Sequence, residues 1–138
     1  MAHKKDKLEF LKQIDEIADR LRQAGITDND QIDFVLLVRE ACARPKVYVG
    51  KESFELAATF LDGYDSALDR ESNSTRDWGL KNFGDWLGPL LNHSTSLHWR
   101  QMMTLSFPED ATAFSQLPQL YEEFLIDVQT SARKQNLT

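Results

Sequence analysis

The sequence has little cysteine, proline or glycine. Of its 138 residues, one is cysteine, four are proline and six are glycine. A single thiol, that of Cys42, excludes an intramolecular disulfide and is typical of a protein from a reducing compartment. The N-terminus is basic but has no apolar segment of the kind found in secretory signals. We therefore expect a cytoplasmic protein whose one cysteine is inert and buried in the apolar stretch Val38–Ala43.

Long hydrophobic runs and an excess of basic residues are also missing. The longest uninterrupted apolar run, Phe34–Val38, is far shorter than the ~20 residues that a membrane span needs. The chain has 16 basic and 22 acidic side chains, for a net charge of −6. Because phosphate binding needs a basic surface, we expect neither a membrane nor a nucleic acid as partner, whereas a basic protein partner fits.

Apolar residues recur at intervals of three and four along most of the chain, which is the period of an amphipathic helix. The hydrophobic fraction of 41% over 138 residues fits one domain with its own core. We therefore predict one all-α domain over residues 1–138, a bundle of about six helices. It includes an N-terminal helix within residues 1–25 and a polar tail, residues 131–138, that frays. The apolar patterns of the six helices begin at Phe10, Ile32, Phe54, Trp78, Leu97 and Phe114.

The helix boundaries follow from proline and from polar stretches. Arg44–Pro45 ends the second helix, because the residue before a proline avoids the helical region. The β-prone Val47–Val49 is too short to build a sheet, and we predict an extended connector that ends at Gly50. Residues 70–75 are polar and predict a loop. Pro118 allows two interpretations, a kink in the last helix or the first turn of a helix that starts later.

Signatures of metal and phosphate sites are absent from the sequence. No Asp or Glu is followed by His three residues later, and neither a HExxH nor a CxxC pair occurs. The glycines at 79, 84 and 88 match no phosphate-binding loop and are expected to let helices approach closely. We therefore predict no metal, no cofactor and no catalytic residue.

The histidines leave one catalytic alternative open. Ser94 and Ser96 lie beside His93 and His98, but serine next to histidine is common in loops, and either serine is a candidate cap for the fifth helix. A hydrolytic enzyme would need a cleft that brings His93 or His98 to a carboxylate. His98 and Trp99 are expected to straddle a helix, although such a pair is also able to line a pocket.

Acidic charge is concentrated in one segment. Residues 51–75 carry six acidic and two basic side chains, and so account for −4 of the net −6. Helical spacing predicts that four of the acids share one solvent-facing stripe and that a fifth lies just beyond it: Glu55, Asp62, Asp65, Asp69 and Glu71. Like charges at these spacings repel by a few tenths of a kcal/mol per pair. The stripe is either a solvated face that aids solubility or a docking strip for a basic partner.

The same region carries a motif. Residues 44–50 read RPKVYVG, residues 53–56 read SFEL and residues 60–64 read FLDGY, which together give RPxxYxG…FLxGY. This pattern resembles a set of small bacterial proteins that are often encoded beside polymorphic toxins and are regarded as their immunity proteins. The later FGDWL at 83–87 and SLHW at 96–99 fit the same layout, so that the resemblance covers about residues 40–126.

The resemblance implies a non-catalytic protein that binds and blocks a toxin from its own genome. On this hypothesis the acidic stripe and the 70–75 loop cover a basic toxin domain such as a nuclease. The motif residues also have structural explanations: Arg44 and Pro45 end a helix, Tyr48 buries its ring, Gly50 supplies a positive φ, and Gly63 before Tyr64 lets a neighbouring backbone approach. The alternative is a regulatory or adaptor domain that binds a small molecule or a host-cell protein between its helices.

Overall fold

α-Helices are the only regular elements in the described residues. The computed structural model describes residues 2–72, 76–94 and 96–136, with the backbone alone for 2–8, 10, 72 and 132–136. The helices are α1 (Ala2–Gln23), α2 (Asn29–Ala43), α3 (Pro45–Val49), α4 (Phe54–Ser72), α5 (Leu80–Leu90), α6 (Trp99–Ser106) and α7 (Asp110–Asn136). In this part of the chain no helix is both long enough and apolar enough to span a membrane. The all-α prediction is confirmed, with seven helices instead of six.

The core lies where α2, α4, α5 and α6 meet the long helix α7. α2 packs along α7, and α5 and α6 pack against each other and against α7. The centre of the core is aromatic, with the ring of Phe83 5.5 Å from that of Tyr121 and 5.9 Å from that of Trp99. The hydroxyl of Tyr121 donates a hydrogen bond to the carbonyl of Trp78 at 2.7 Å, which ties α7 to the segment before α5.

The extra helix, α3, occupies the segment for which we predicted an extended connector, and that prediction is wrong. Pro45 is the first residue of α3, where its fixed φ suits a helix and its missing N–H is not needed. Gly50 ends α3 with a φ of 80°, and its N–H donates to the carbonyl of Lys46 at 3.0 Å. The β propensity of Val47–Val49 does not prevail, because the described residues include no strand with which it could pair.

The last helix is continuous through Pro118. α7 begins at Asp110 and includes Pro118, so Pro118 does not start a later helix. α7 also extends through Asn136 and covers most of the segment predicted to fray, whereas residues 137 and 138 lie outside the described residues.

Two other boundaries differ from the predictions. α4 continues to Ser72, so the predicted loop over 70–75 is wrong for its first half, and residues 73–75 lie outside the described part of the chain. α6 is capped by His98, not by Ser94 or Ser96. His98 Nδ1 accepts from the N–H of Arg100, and Gln101 accepts from the N–H of His98.

Candidate functional site

α4 carries most of the predicted site residues on different sides of one helix. Its core side buries Phe54, Leu61 and Asp65. The side farthest from the core, which we call the α4 outer face, consists of exposed and mostly small residues: Leu56, Thr59, Gly63, Ser66 and Ala67. The remaining acids lie between these two sides of the helix. The α4 outer face itself therefore contains no charged residue.

Asp65 and Asp69 are held by an arginine from outside α4. The guanidinium of Arg76 forms an ion pair with Asp65 and donates from Nε to Asp69 Oδ1 at 2.7 Å. Asp65 also accepts from the N–H of Leu80 at 3.3 Å. Asp65 is only 7% exposed, so its predicted position on a solvent-facing stripe is wrong. The prediction considered only the spacing of residues along α4. It did not include the segment from Arg76 to Leu80, which packs over this side of the helix.

Burial and charge act in opposite directions on this pair. Burial raises the pKa of Asp65, and the nearby Arg76 lowers it by less. Burial also disfavours the cation of Arg76, but its hydrogen bond to Asp69 and its pairing with Asp65 raise the pKa of Arg76 overall. The arginine therefore keeps its charge, and the position of Asp65 makes this carboxyl harder to ionise than an exposed one.

Asp62 connects α4 to α6. Its Oδ1 accepts from the indole N–H of Trp99 at 2.8 Å, and its Oδ2 lies 2.7 Å from Nε of Arg100. Arg100 also donates from Nη1 to the hydroxyl of Thr59 at 2.9 Å. Asp62 thus anchors the first turn of α6, and a partner would have to compete with Arg100 for this carboxylate.

The five predicted docking acids therefore fall into two groups. Asp62, Asp65 and Asp69 make ion pairs within the chain, and their charge is largely offset by Arg76 and Arg100. Glu55 and Glu71 are exposed, as predicted. Most of the apparent acidic excess on this helix is used to hold neighbouring segments in place.

His98 lies beside a carboxylate of α4. His98 Nε2 lies 3.3 Å from Asp62 Oδ2, so the approach of a histidine to a carboxylate required for a hydrolase does occur. However, His98 Nδ1 already accepts from the N–H of Arg100, which places the ring proton on Nε2, towards Asp62. Nδ1 thus caps α6, and Nε2 links the start of α6 to α4.

His93 has a different partner. Its Nε2 lies 2.8 Å from the hydroxyl of Ser106, the last residue of α6. This contact joins the segment after α5 to the end of α6, and no carboxylate contact is recorded for His93 in the described residues. The hydrogen bond has a structural explanation in closing the α5–α6 pair.

The described residues contain no cluster of three or more His, Cys, Asp or Glu side chains that could hold a metal ion. The lone thiol is buried, and burial raises the pKa of Cys42 to about 12. A thiol with this pKa is protonated at neutral pH and is a poor nucleophile.

The motif residues gather at the junction of α2, α3 and α4. The ring of Tyr48 lies 5.7 Å from that of Phe60, and Tyr64 stacks on Phe34 at 6.1 Å. Burial, together with a hydrogen bond to Glu40, raises the pKa of Tyr48 to about 12. Tyr64 is less enclosed, with 44% of its surface exposed. The aromatic residues of the motif thus attach α3 to α4 and leave one ring at the surface.

Most of the remaining motif residues act as predicted, and one does not. Arg44 ends α2 by donating its N–H to the carbonyl of Glu40, and Pro45 and Gly50 bound α3. Gly63 was expected to admit a neighbouring backbone, but nothing lies within 4 Å of the place where its Cβ would be. That expectation is wrong within the described residues. The close approach occurs instead at Gly84, where a Cβ would lie 3.3 Å from Trp99 Cβ.

Comparisons with protein-family models, with curated proteins and with solved structures gave no match. The residues that the sequence reasoning missed are Arg76 and Arg100, which neutralise the acids of α4 from other segments. Arg76 is 11 positions from its partner Asp65, and Arg100 is 38 positions from its partner Asp62. A local signal existed only for His98, since a cap with Gln three residues later has the spacing of a capping box.

Proposed function

We propose that this protein is a non-catalytic binding protein that neutralises a cognate bacterial toxin, and that the α4 outer face contacts the toxin. The motif that resembles immunity proteins lies on α3 and α4. The nearby acids Glu55 and Glu71 are exposed and are able to attract a basic surface such as that of a nuclease.

Gly63 is the single observation that carries the proposal. It lies in the middle of the 19-residue helix α4, where glycine costs about 1 kcal/mol relative to alanine. Its φ is not among the positive values of the described chain, and no described atom lies within 4 Å of the place where its Cβ would be. The fold therefore gains nothing evident from this glycine, whereas a partner surface gains close access to the helix backbone.

Tyr64 lies next to Gly63 and extends the proposed contact surface beyond the α4 outer face. Its ring is fixed from behind by Phe34 and yet remains 44% exposed. Tyrosines with a rigid ring and an accessible edge are common at the centres of protein interfaces, because little side-chain entropy is lost on binding. Gly63 and Tyr64 thus combine a depression with an adjacent aromatic contact.

The adaptor alternative is not favoured by the region around His98 and Trp99. A small-molecule pocket past His98 would need space that the indole of Trp99 fills, since Trp99 is fully buried and bonded to Asp62. The groove beside it is lined mainly by polar and charged residues.

The test uses the product of the reading frame next to this gene. Co-expression with the wild-type chain should rescue growth if that product is a toxin, and the purified pair should form a complex. Gly63→Gln should raise the free energy of unfolding by ~0.5–1 kcal/mol, because glutamine is a better helix former. The same variant should weaken binding at least tenfold, because its side chain fills the depression.

Ser115→Gln is the matched control, as Ser115 is an exposed small residue on α7. It should leave binding unchanged. Failure of the wild-type chain to rescue growth or to bind would reject the proposed function. Full binding by Gly63→Gln would keep the function but remove the α4 outer face from the interface.

A further inference from the structure

An exposed apolar surface, separate from the α4 outer face, lies in a groove between α5 and α7. The groove has a volume of about 680 Å³, and its apolar wall is formed by Trp86, Pro89, Leu90 and Ile126. Leu90 is 52% exposed and Ile126 is 37% exposed, so large hydrophobic side chains face solvent on both helices. Grouped apolar exposure of this kind marks interaction sites more often than scattered single residues do.

Trp86 is held in one orientation within this groove. Its ring stacks on Phe83 at 6.1 Å with an interplanar angle of 22°, and it lies 5.8 Å from Phe124. Its indole N–H donates to Asp127 Oδ2 at 2.8 Å. A partner that contacts Trp86 would therefore lose little of its binding energy to ordering this ring.

The charge of the groove has one sign. Among its described lining residues the ionisable ones are Glu123 and Asp127, both acidic and both exposed. In contrast to Asp65 and Asp62, neither has an ion pair recorded with an arginine or lysine of the described chain. An apolar floor with an acidic edge fits a ligand with aliphatic side chains beside cationic ones.

We propose that this groove binds a basic amphipathic helix of a partner protein. The lining residues on α7 extend from Glu123 to Thr130, a length of about 10 Å at 1.5 Å per residue. This length matches two turns of a ligand helix. Its leucine-like side chains at positions i and i+4 lie against Leu90 and Ile126, and its lysines or arginines face Glu123 and Asp127. The groove is separate from the α4 outer face, so this proposal does not depend on the toxin-binding one.

The probe is a labelled 14-residue helical peptide of leucine and lysine with leucines along one face, titrated into the full chain at 0.15 M salt. In the variant Leu90→Glu/Ile126→Glu, two apolar contacts are replaced by two negative charges. Simple attraction between a cationic peptide and an acidic protein would make the peptide bind more tightly. Docking in the groove requires the opposite, and we expect binding at least tenfold weaker.

Val47→Glu/Leu105→Glu is the control, because it makes the same change of charge at two exposed apolar residues of α3 and α6. It should bind the peptide as the wild-type chain does, or more tightly. Asp127→Asn provides a second measurement that retains the groove's shape, and it should weaken binding about threefold while thermal unfolding confirms that the variant is folded.

Unchanged or tighter binding by Leu90→Glu/Ile126→Glu would overturn the proposal, as would equal weakening in the control. Sedimentation of the wild-type chain as a dimer that this variant dissociates would also overturn it, since the occupant would then be a second copy of the chain.

Discussion

One arginine between α4 and α5 determines how the acidic side chains of α4 behave. Arg76 pairs with Asp65 and Asp69, and its Cζ lies 4.1 Å from the centre of the Trp78 ring. Its side chain is 9% exposed, so the cation is nearly as buried as its partner Asp65. A buried pair of this kind is sensitive to loss of one member, because the other charge is then left without compensation.

Arg76→Gln should lower the free energy of unfolding by about 3 kcal/mol at pH 7, because it leaves the buried Asp65 carboxylate unpaired. Arg70→Gln, at an exposed position of α4, should change it by less than ~0.5 kcal/mol. Urea denaturation followed by circular dichroism measures both values. Equal losses in the two variants would show that Arg76 does not hold the α4 carboxylates.

The Arg76→Gln loss should shrink as the pH falls from 7 towards 4.5. Burial raises the pKa of Asp65, and without Arg76 the main opposing influence is gone. A carboxyl with a higher pKa in the folded than in the unfolded state binds protons preferentially in the folded state. Its protonation therefore favours folding at low pH, and this benefit is lost as the pH rises through the unfolded-state and then the folded-state pKa. A loss that is the same at both pH values would contradict the assignment.

At the scale of the elements, short helices depend on their ends. α3 has five residues and α6 has eight, too few to be stable without caps or tertiary contacts. Pro45 and Gly50 bound α3, whereas the imidazole of His98 and the amide of Gln101 cap α6 reciprocally. The prediction of a connector at 47–49 relied on the β propensity of its side chains. The helix-bounding residues Pro45 and Gly50 had the greater effect on the conformation.

His98→Ala should destabilise the protein by about 1 kcal/mol, because the first turn of α6 loses its cap. His98→Asn retains a side-chain acceptor at the same position and should recover most of that loss. Both variants remove the contact with Asp62, so the difference between them isolates the cap. Thermal and urea unfolding measure the difference, and equal stability of the two variants would refute the capping role.

At the scale of the whole molecule, α1 is joined to the bundle over a limited area. Its buried side chains lie only in its C-terminal part, at Ile17, Ala18 and Leu21, among the side chains that the structure describes. Glu122 of α7 reinforces this junction by pairing with Arg20 of α1 and lying 3.4 Å from Arg39 of α2. One buried carboxylate thus connects the first, second and last helices.

Glu122→Ala should lower the free energy of unfolding by roughly 1–2 kcal/mol and should increase amide hydrogen exchange in α1 more than in α5 or α6. The loss is smaller than for Arg76→Gln, because Arg20 and Arg39 are partly exposed and are hydrated once the carboxylate is gone. Glu123→Ala, at the next and exposed position, is the control and should have little effect. Uniform acceleration of exchange in all helices would argue against a local junction.

The sequence by itself determined the all-α class and the apolar stripes of the longer helices, because a period of three to four residues is a local property of the chain. It also located Gly50 as a position of positive φ and Cys42 as a buried thiol. Only the tertiary structure decided which acids are available to a partner. Asp65 and Asp62 are neutralised by Arg76 and Arg100, and spacing along α4 carries no information about side chains from other segments. The same reason applies to Trp86, which lies half-buried at the edge of an acidic groove that only the packing of α5 against α7 creates.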